Sequence, residues 1–252
     1  MARRALVTGA TSGIGAATVR ALRADGYEVL ATGRRTNRLA ALSSETGCDF
    51  VSADLTTDAG VATIMDYVAQ SAPIDVLINC AGGALGTDSV ADGNVDEWRK
   101  MYELNVLATL RITQAVLPQL RERGGDIVFI SSTAGHGPYP GGAGYTASKH
   151  AERQIPATLR LELMGEPVRI IDIAPGMVKT EEFSLNRYHG DAAAAAAVYA
   201  GVAEPLTAED IAEAVRWCVS LPAHVNIDSM IVRPRAQATN TLVARESDPE
   251  AN

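Results

Sequence analysis

The chain has 252 residues, 47% of them hydrophobic, which is enough for one large α/β domain with a buried sheet. Its formal net charge of −8 argues against nucleic acid or an anionic membrane surface as a partner. No apolar run approaches the roughly 18 residues of a membrane span, and we expect no signal peptide. The few scattered cysteines and histidines predict no disulfide framework and no metal site, with a reducing cytoplasm as the default location.

A glycine-rich turn between a strand and a helix comes first. A short apolar run leads directly into TGATSGIG (Thr8–Gly15), and Ala16–Ala24 then has apolar residues at helical spacing. In this context Gly9 permits a tight turn, Gly13 lets the backbone approach a pyrophosphate, and Gly15 allows close packing of helix on strand. Backbone N–H groups at the helix start then face the anion. The spacing G-x3-G-x-G differs from the common dinucleotide fingerprint, so this turn alone does not identify the ligand.

The second predicted strand, Tyr27–Ala31, ends in TGRR, where a dinucleotide fold reads the adenine ribose. An acidic residue there would hydrogen-bond a 2′-hydroxyl and repel a 2′-phosphate. Here Gly33 is followed by Arg34 and Arg35, and neutral space beside a guanidinium fork suits a phosphate. The pattern favours NADP as the cofactor, with two solvated arginines at a helix start as the alternative.

Two further strands are predicted over Asp49–Ala53 and Ile74–Asn79. Asp54 follows the first of them, where its carboxylate can hydrogen-bond an adenine amino group or cap the helix predicted over Val61–Gln70. The second strand runs into the small residues 80–83, which leave room for a flat ligand over the strand end.

The middle of the chain brings polar side chains to otherwise apolar elements. A long helical stretch, Val95–Leu117, contains Asn105 among apolar neighbours, so this side chain is expected to be buried and to need partners. A fifth strand, Ile127–Ser131, delivers Ser131 and Ser132 at its carboxyl end.

The next helix, predicted over Tyr145–Met164, places Tyr145 and Lys149 on one face with Cβ atoms roughly 5–6 Å apart. An ammonium about 4 Å from a phenolate stabilises it by about 4 kcal/mol at an effective dielectric near 20. Tyr145 is therefore a predicted acid or base near neutral pH, with Ser132 holding a carbonyl oxygen beside it. The alternative is that Y-x-x-x-K is simply a helix face. Pro156 predicts a kink in the helix interior.

The last third contains two strands, one helix and an excursion. The predicted elements are a strand at Val168–Ala174, an excursion over 177–203 with its own helix around 192–197, a capped helix at Thr207–Val219, a strand at Met230–Arg233, and a polar tail over 244–252 that is expected to fray.

Strands and helices alternate throughout, which predicts an α/β fold: a doubly wound, Rossmann-type parallel sheet of about seven strands with helices on both faces. With no linker or break in composition, residues 1–243 are predicted to form a single catalytic domain. Ligands in such sheets sit beyond the carboxyl ends of the strands. The polar and glycine-rich segments that fall there are Thr8–Gly15, Arg34, Asp54, Asn79, Ser132 and Pro175.

Along nearly its whole length the chain resembles the short-chain dehydrogenases/reductases. The motifs that carry the resemblance are, in the family's order, TGATSGIG, Asp54, INCAG at 78–82, Asn105, Ser132, Tyr145-x-x-x-Lys149 and PGMVKT at 175–180. Cys80 stands where the family usually has a second asparagine. Further segments resemble the NADP-dependent 3-hydroxy acid dehydrogenases, a branch that includes serine and allo-threonine dehydrogenases and reduces malonic semialdehyde. These segments are ATGRR, STAGHGPYPGG, Phe183–Asp191, LTAEDIAEAVRW and LPAHVNID, whereas PGMVKTEEFS departs from the branch's usual G-G-T-E-F.

The resemblance implies hydride transfer between NADP(H) and a hydroxyl-bearing carbon of a small 3-hydroxy acid. Tyr145 would be the acid–base, Ser132 would orient the substrate oxygen, Lys149 would assist Tyr145 and hold the nicotinamide ribose, and Asn105 would keep a water for proton relay. Arg187, an arginine shared with the branch, is the predicted clamp for the substrate carboxylate, with an exposed loop arginine as the alternative. The predicted cofactor-binding residues are Gly9, Thr11, Ser12, Gly13, Ile14, Gly15, Arg34, Arg35, Asp54, Leu55, Asn79, Ala81, Gly82, Tyr145, Lys149, Pro175, Gly176, Val178 and Thr180.

The resemblance also implies a homotetramer that acts on a small molecule, and the cytoplasm remains the expected location from the cysteine content. Two alternatives remain open. One is a reductase of another carbonyl substrate, such as a 3-oxoacyl thioester, which would need a basic surface for its acidic carrier. The other is an NADP-binding regulator without turnover, which would not need Asn105, Ser132, Tyr145 and Lys149 together.

Overall fold

A seven-stranded sheet lies at the centre of the computed structural model, which describes residues 2–246. Its strands are β1 Arg4–Val7, β2 Glu28–Gly33, β3 Asp49–Ser52, β4 Val76–Asn79, β5 Gly125–Ile130, β6 Val168–Pro175 and β7 Ser229–Val232. Their order is β3-β2-β1-β4-β5-β6-β7, and every pair is parallel. The chain reverses its direction of winding between β1 and β4, the kind of switch point where clefts form. The predicted doubly wound parallel sheet is confirmed.

The helices cover both faces of this sheet. They are α1 Gly13–Ala24, α2 Thr36–Thr46, α3 Asp58–Gln70, α4 Val95–Tyr102, α5 Ala108–Arg123, α6 Ala143–Glu162, α7 Phe183–Arg187, α8 Ala192–Ala197 and α9 Ala208–Ser220. Successive strand side chains point to opposite faces. In β4, Val76 and Ile78 accordingly join the core beneath α1 and α9, while Leu77 joins the core beneath α3 and α5. Burial on both faces explains why the central strands β1 and β4 are nearly continuous apolar runs.

The long predicted helix over Val95–Leu117 is divided in the structure. A π-helical turn, Glu103–Leu107, separates α4 from α5 and carries Asn105. Pro156, in contrast, does not end α6, which continues to Glu162. At α9, Thr207 Oγ1 accepts from the Asp210 N–H and the Asp210 carboxylate accepts from the Thr207 N–H, so the predicted capping box is present.

The excursion over 177–203 holds α7 and α8, the second formed by the alanine run. The part of the tail that the structure describes is held in place, since the Glu246 N–H donates to Gly201 O of the excursion at 2.7 Å and the Ala244 N–H donates to Ala236 O, after β7, at 2.8 Å. The expected fraying is therefore wrong for 244–246, and 247–252 lie outside the described residues. Within 2–246, no helix has both the length and the apolar character needed to cross a membrane.

A buried ion-pair cluster joins β5 and β6 at the amino ends of the strands, away from the cleft. The Asp126 carboxylate accepts from Arg169 Nε at 2.6 Å and from Arg169 Nη2 at 2.8 Å, and both side chains are buried. Arg3 Nη2 reaches the same carboxylate at 2.6 Å. A buried carboxylate with this many donors is satisfied only while both arginines stay in place.

Candidate active site

A cleft of about 830 Å³ opens beyond the carboxyl ends of the strands. This volume lies within the range of small-molecule and cofactor sites. Ser132, Tyr145, Lys149 and Arg187 line it, together with every predicted cofactor-binding residue except Asn79. Asn79 and Asn105 lie behind the lining. The topology thus brings together residues that are more than 170 positions apart in the sequence.

The glycine turn at one end of the cleft has no room for side chains. A Cβ on Gly9, where φ is +65°, would lie 2.9 Å from the backbone of Cys80 and Ala81. A Cβ on Gly15 would lie 2.4 Å from the carbonyl oxygen of Gly9. The side chain of Ser12 makes no capping hydrogen bond to α1, so the first N–H groups of this 12-residue helix remain available to an anion. The turn fits a pyrophosphate.

The two arginines that follow β2 have different partners. Arg35 donates to Thr11 Oγ1 at 2.7 Å, to Ser12 Oγ at 3.0 Å and to the Glu182 carboxylate at 2.6 Å. The Arg34 side chain is exposed at the cleft and has no hydrogen-bond or ion-pair partner among residues 2–246. Of the two, Arg34 is the guanidinium available to a phosphate. The space expected at Gly33 is filled, because a Cβ there would lie 2.7 Å from the Thr11 methyl group.

The polar residues at the carboxyl ends of β3 and β4 have different positions: one lines the cleft, and the other lies behind its lining. Asp54 lines the cleft, and its Oδ1 accepts from the Thr56 N–H at 3.0 Å and from Thr56 Oγ1 at 2.8 Å. The Thr56 N–H bond is the main reason that the pKa of Asp54 is lowered. Thr57, not Asp54, caps α3 through the Gly60 N–H. Asn79 is buried and donates to Thr113 Oγ1 of α5 at 3.0 Å, which turns it away from the cleft.

Asn105 holds the floor of the cleft together. Its amide oxygen accepts from the Gly83 N–H at 2.8 Å, and its amide nitrogen donates to Gly83 O at 3.0 Å and to Ser148 Oγ at 2.9 Å. The side chain is fully buried, and all these bonds depend on the π-helical turn that carries it. Such turns are frequent at functional sites. The expected partners of this asparagine are found.

Ser132 and Tyr145 come to the same wall of the cleft from β5 and α6. Ser132 Oγ accepts from the Ala134 N–H at 3.1 Å, which fixes the hydroxyl at the start of a short 3₁₀ turn. Tyr145 is 8% exposed, and its ring makes an edge-to-face contact with Phe183 of α7 at a centroid distance of 5.7 Å. The excursion therefore packs directly on the predicted acid–base.

Lys149 is nearly enclosed, with 4% of its surface exposed. Its Nζ donates to Ile130 O at 3.2 Å and lies 2.5 Å from Oε2 of Glu152, one turn further along α6. Burial is the largest single influence and acts to lower the pKa of Lys149, but Glu152 and the other neighbouring groups together outweigh it, so the net shift is upward and the lysine is a cation. Sequence reasoning missed Glu152, although its i,i+3 spacing from Lys149 on a buried helix face was a usable signal.

Arg187 faces the substrate end of the cleft from α7. Its Nη1 donates to Tyr139 Oη at 2.8 Å, its Nη2 to Gly141 O at 2.9 Å, and its Nε to Gly86 O at 3.3 Å. The guanidinium also lies 5.3 Å from the centre of the Tyr139 ring. No carboxylate within 2–246 forms an ion pair with it. Three of its five N–H groups are used, which leaves one on each terminal nitrogen.

The segment after β7 completes the cleft and was not predicted to do so. Gln237 Oε1 accepts from the Met177 N–H at 2.8 Å, and Asn240 donates to Thr133 O at 3.0 Å and to Gly137 O at 2.7 Å. Arg245 lines the rim and donates to Val198 O at 3.2 Å. Isolated polar residues in a coil give no sequence signal for such contacts.

Cys80 lines the cleft close to Lys149. Burial raises the pKa of the Cys80 thiol to about 12, which keeps the thiol protonated beside Lys149. Cys48, Cys80 and Cys218 are all free thiols. In the described part of the chain, no three His, Cys, Asp or Glu side chains are grouped closely enough to hold a metal ion.

Comparison with known proteins gives a consistent result. A family model described as short chain dehydrogenase matches residues 3–188. An uncharacterized oxidoreductase of Mycobacterium tuberculosis is 49% identical over 94% of this chain and 93% of its own. The NADP-dependent 3-hydroxy acid dehydrogenase YdfG of Salmonella typhi is 43% identical over 96% of this chain and 99% of its own. The closed form of a serine dehydrogenase complexed with NADP+ superposes with a TM-score of 0.91 at 39% identity, over 97% of this chain and 100% of that one. The chain belongs to the short-chain dehydrogenase family of oxidoreductases.

Proposed function

We propose that this enzyme transfers hydride between NADP(H) and a small 3-hydroxy acid, or the corresponding 3-oxo acid or semialdehyde. The relatives named above support the choice of cofactor and substrate class, since one is an NADP-dependent 3-hydroxy acid dehydrogenase and another is a serine dehydrogenase complexed with NADP+. The cleft supports it independently through Arg34 at the cofactor end and Arg187 at the substrate end.

The residues at the cofactor end fit NADP. The turn around Gly9 and Gly15 is a cradle that any Cβ would fill, and the start of α1 offers free N–H groups to the pyrophosphate. Arg34 would hold the 2′-phosphate, and Asp54 lies where it would meet the adenine. When bound, NADP supplies the nicotinamide that accepts or gives the hydride.

The protein's own side chains handle the proton and the substrate oxygen. Tyr145 accepts the hydroxyl proton in oxidation and returns a proton to the carbonyl oxygen in reduction. Ser132, fixed by the Ala134 N–H, hydrogen-bonds the same oxygen and orients it toward Tyr145. Lys149 supplies positive charge next to the phenol, and Asn105, whose amide hydrogens are bonded to Gly83 O and Ser148 Oγ, fixes the backbone beside them. Phe183 covers the phenol and limits the access of bulk water.

The observation that carries the substrate assignment is the position of Arg187. An anionic substrate enclosed in a cleft needs donors that replace its hydration. Arg187 lines the same cleft as Ser132 and Tyr145, is held in place by Tyr139, Gly86 and Gly141, and has one unused N–H group on each terminal nitrogen. A carboxylate binds two parallel N–H groups in a bidentate arrangement.

The test is Arg187→Gln, assayed with NADPH on a 3-oxo acid and on a neutral ketone of similar size. Glutamine keeps a hydrogen-bond donor for the loops but removes the charge. We expect kcat/KM to fall for the acid alone, by about 1.5–3 kcal/mol or roughly ten- to hundredfold. The matched control is Arg245→Gln, which removes a second cleft-lining arginine whose partners are carbonyl groups after α8.

The outcomes distinguish the possible roles of Arg187 and also test the proposed function itself. Equal losses on both substrates assign Arg187 to holding the loops rather than the carboxylate. A selective loss in Arg245→Gln instead moves the carboxylate site to the rim. Turnover of neither substrate class by the wild-type enzyme would reject the proposed function. The cytoplasmic location and the homotetramer stay predictions, and light scattering on the purified protein tests the second.

A further inference from the structure

A buried carboxylate stands beside the catalytic lysine. Glu152 is 1% exposed, and its Oε2 lies 2.5 Å from Lys149 Nζ. The contact is an ion pair without hydrogen-bond angles, and Oε2 has no hydrogen-bond partner in the described chain. A charge buried in this way is costly, and a structural role on this helix face could be met by an apolar side chain. We therefore look for a functional role of this carboxylate. Direct contact with cofactor or substrate is not that role, because Glu152 does not line the cleft.

The groups around Glu152 make its proton labile. Burial raises the pKa of Glu152 to about 7, with the Lys149 charge acting in the lowering direction and Asp172 of β6 in the raising one. Asp172 is itself buried, and its Oδ1 has no hydrogen-bond partner within 2–246. Cys80, whose thiol is neutral, is another close neighbour of Glu152. Tyr145 faces Lys149 from the same helix, two turns before Glu152.

Beyond Asp172 lies a second set of charged groups. His136 faces Asp172, and burial, together with the charge of Arg153, lowers the pKa of its imidazole. Arg233 and His150 act on His136 in the same direction as Arg153. The histidine is therefore neutral at physiological pH. Lys149 is therefore the cation in direct contact with Glu152.

We propose that Glu152 is a positioning residue that offsets the charge of Lys149 beside Tyr145 and thereby sets the site to reduce carbonyls. This inference rests on the proposed function, because it assigns a preferred direction to the same reaction. An unopposed Lys149 stabilises the phenolate of Tyr145, which suits oxidation. Above its pKa of about 7 the Glu152 carboxylate is ionised, and its negative charge opposes that effect.

The size of the effect follows from the helix. Tyr145 and Glu152 are seven residues apart in α6, which corresponds to roughly 10 Å along the axis. A unit charge at that distance, at an effective dielectric near 20, moves a protonation equilibrium by about one pH unit. The prediction is therefore a displacement of the pH–rate profile and not a loss of activity.

The decisive variant is Glu152→Gln, which removes the charge and keeps the shape. We expect the midpoint of kcat against pH, measured for oxidation of a 3-hydroxy acid with NADP+, to move down by about one unit. The rate of carbonyl reduction above neutral pH should fall about tenfold in parallel. Glu152→Asp keeps the charge and should stay close to the wild-type profile. The matched control is Glu162→Gln, an exposed glutamate at the end of the same helix, which should leave the profile unchanged.

A second variant guards against a folding defect. Glu152→Leu removes the charge and introduces no polar atom that needs a partner; Lys149 loses its ion-pair partner in this variant as it does in Glu152→Gln, and a folded Glu152→Leu should show the same downward shift. Circular dichroism and the thermal midpoint report the fold independently of turnover. A profile in either folded variant that coincides with the wild-type profile, or that moves upward, overturns the role of Glu152. In that case wild-type turnover of 3-oxo acids still upholds the proposed function, whereas the absence of any wild-type turnover rejects the proposed function itself.

Discussion

The two arginines after β2 predict different effects on cofactor choice. Arg34 is exposed at the cleft without a partner in the described chain, whereas Arg35 is bonded to Thr11, Ser12 and Glu182. Removal of Arg34 should therefore remove the contact with the 2′-phosphate and little else. A hydrogen bond to a charged group contributes about 1.5–3 kcal/mol. Because the Arg34 side chain is exposed and screened, we use the lower value, about 1.5 kcal/mol, which is about tenfold in Kd.

The assay is a fluorescence titration of NADPH and NADH against the wild-type enzyme, Arg34→Gln and Arg35→Gln. We expect Arg34→Gln to weaken NADPH binding about tenfold and to leave NADH binding within about twofold. Arg35→Gln breaks contacts to the glycine turn, so it should weaken both cofactors by similar factors. The ratio of the two Kd values separates the two variants.

Two results would refute this reasoning. If Arg34→Gln weakens NADPH and NADH equally, its role is structural and the 2′-phosphate is read elsewhere. If the wild-type enzyme binds NADH as tightly as NADPH, the interpretation of the residues after β2 is wrong. Introducing an acid at Gly33 would be a poorer test, because its Cβ would lie 2.7 Å from the Thr11 methyl group and would displace the turn.

Two other substitutions test the chemistry and the fold. Tyr145→Phe should lower kcat by about 100- to 10,000-fold while NADPH still binds, and near-normal turnover would remove Tyr145 as the acid–base. Asp126→Ala leaves the buried Arg169 without its carboxylate and should lower the free energy of unfolding by about 3–5 kcal/mol, measured by denaturant titration. Asp66→Ala, an exposed position on α3, is its control, and equal losses in the two variants would contradict the argument from burial.

The parts of this molecule that sequence predicts well depend on local pattern. Apolar runs separated by segments of helical spacing gave all seven strands to within a few residues, and the central strands β1, β4 and β5 gave the clearest runs because both of their faces are buried. Tyr145 and Lys149 share a helix, so their spacing alone places them together. Ser132 follows a strand, and the carboxyl ends of parallel strands meet at one edge of the sheet.

The parts that sequence does not predict are contacts between distant segments. The bond from Arg35 to Glu182 spans 147 positions, and the bond from Arg187 to Gly86 spans 101. No periodicity links such residues, so the sequence could not tell which of Arg34 and Arg35 stays unpaired. The π-helical turn at Asn105 was missed because its sequence has ordinary helical spacing. The extra residue in that turn is stabilised by bonds to Gly83 and Ser148, which are tertiary contacts.

The excursion over 177–203 is held on both sides of the cleft. At its start, Glu182 accepts from Arg35 at 2.6 Å and from Arg38 at 2.9 Å, next to the glycine turn. One helix later, Arg187 binds Tyr139 and two loop carbonyls at the substrate end. Phe183 lies between these anchors and packs on Tyr145. A change in either anchor or in Phe183 is therefore expected to alter how Tyr145 is covered.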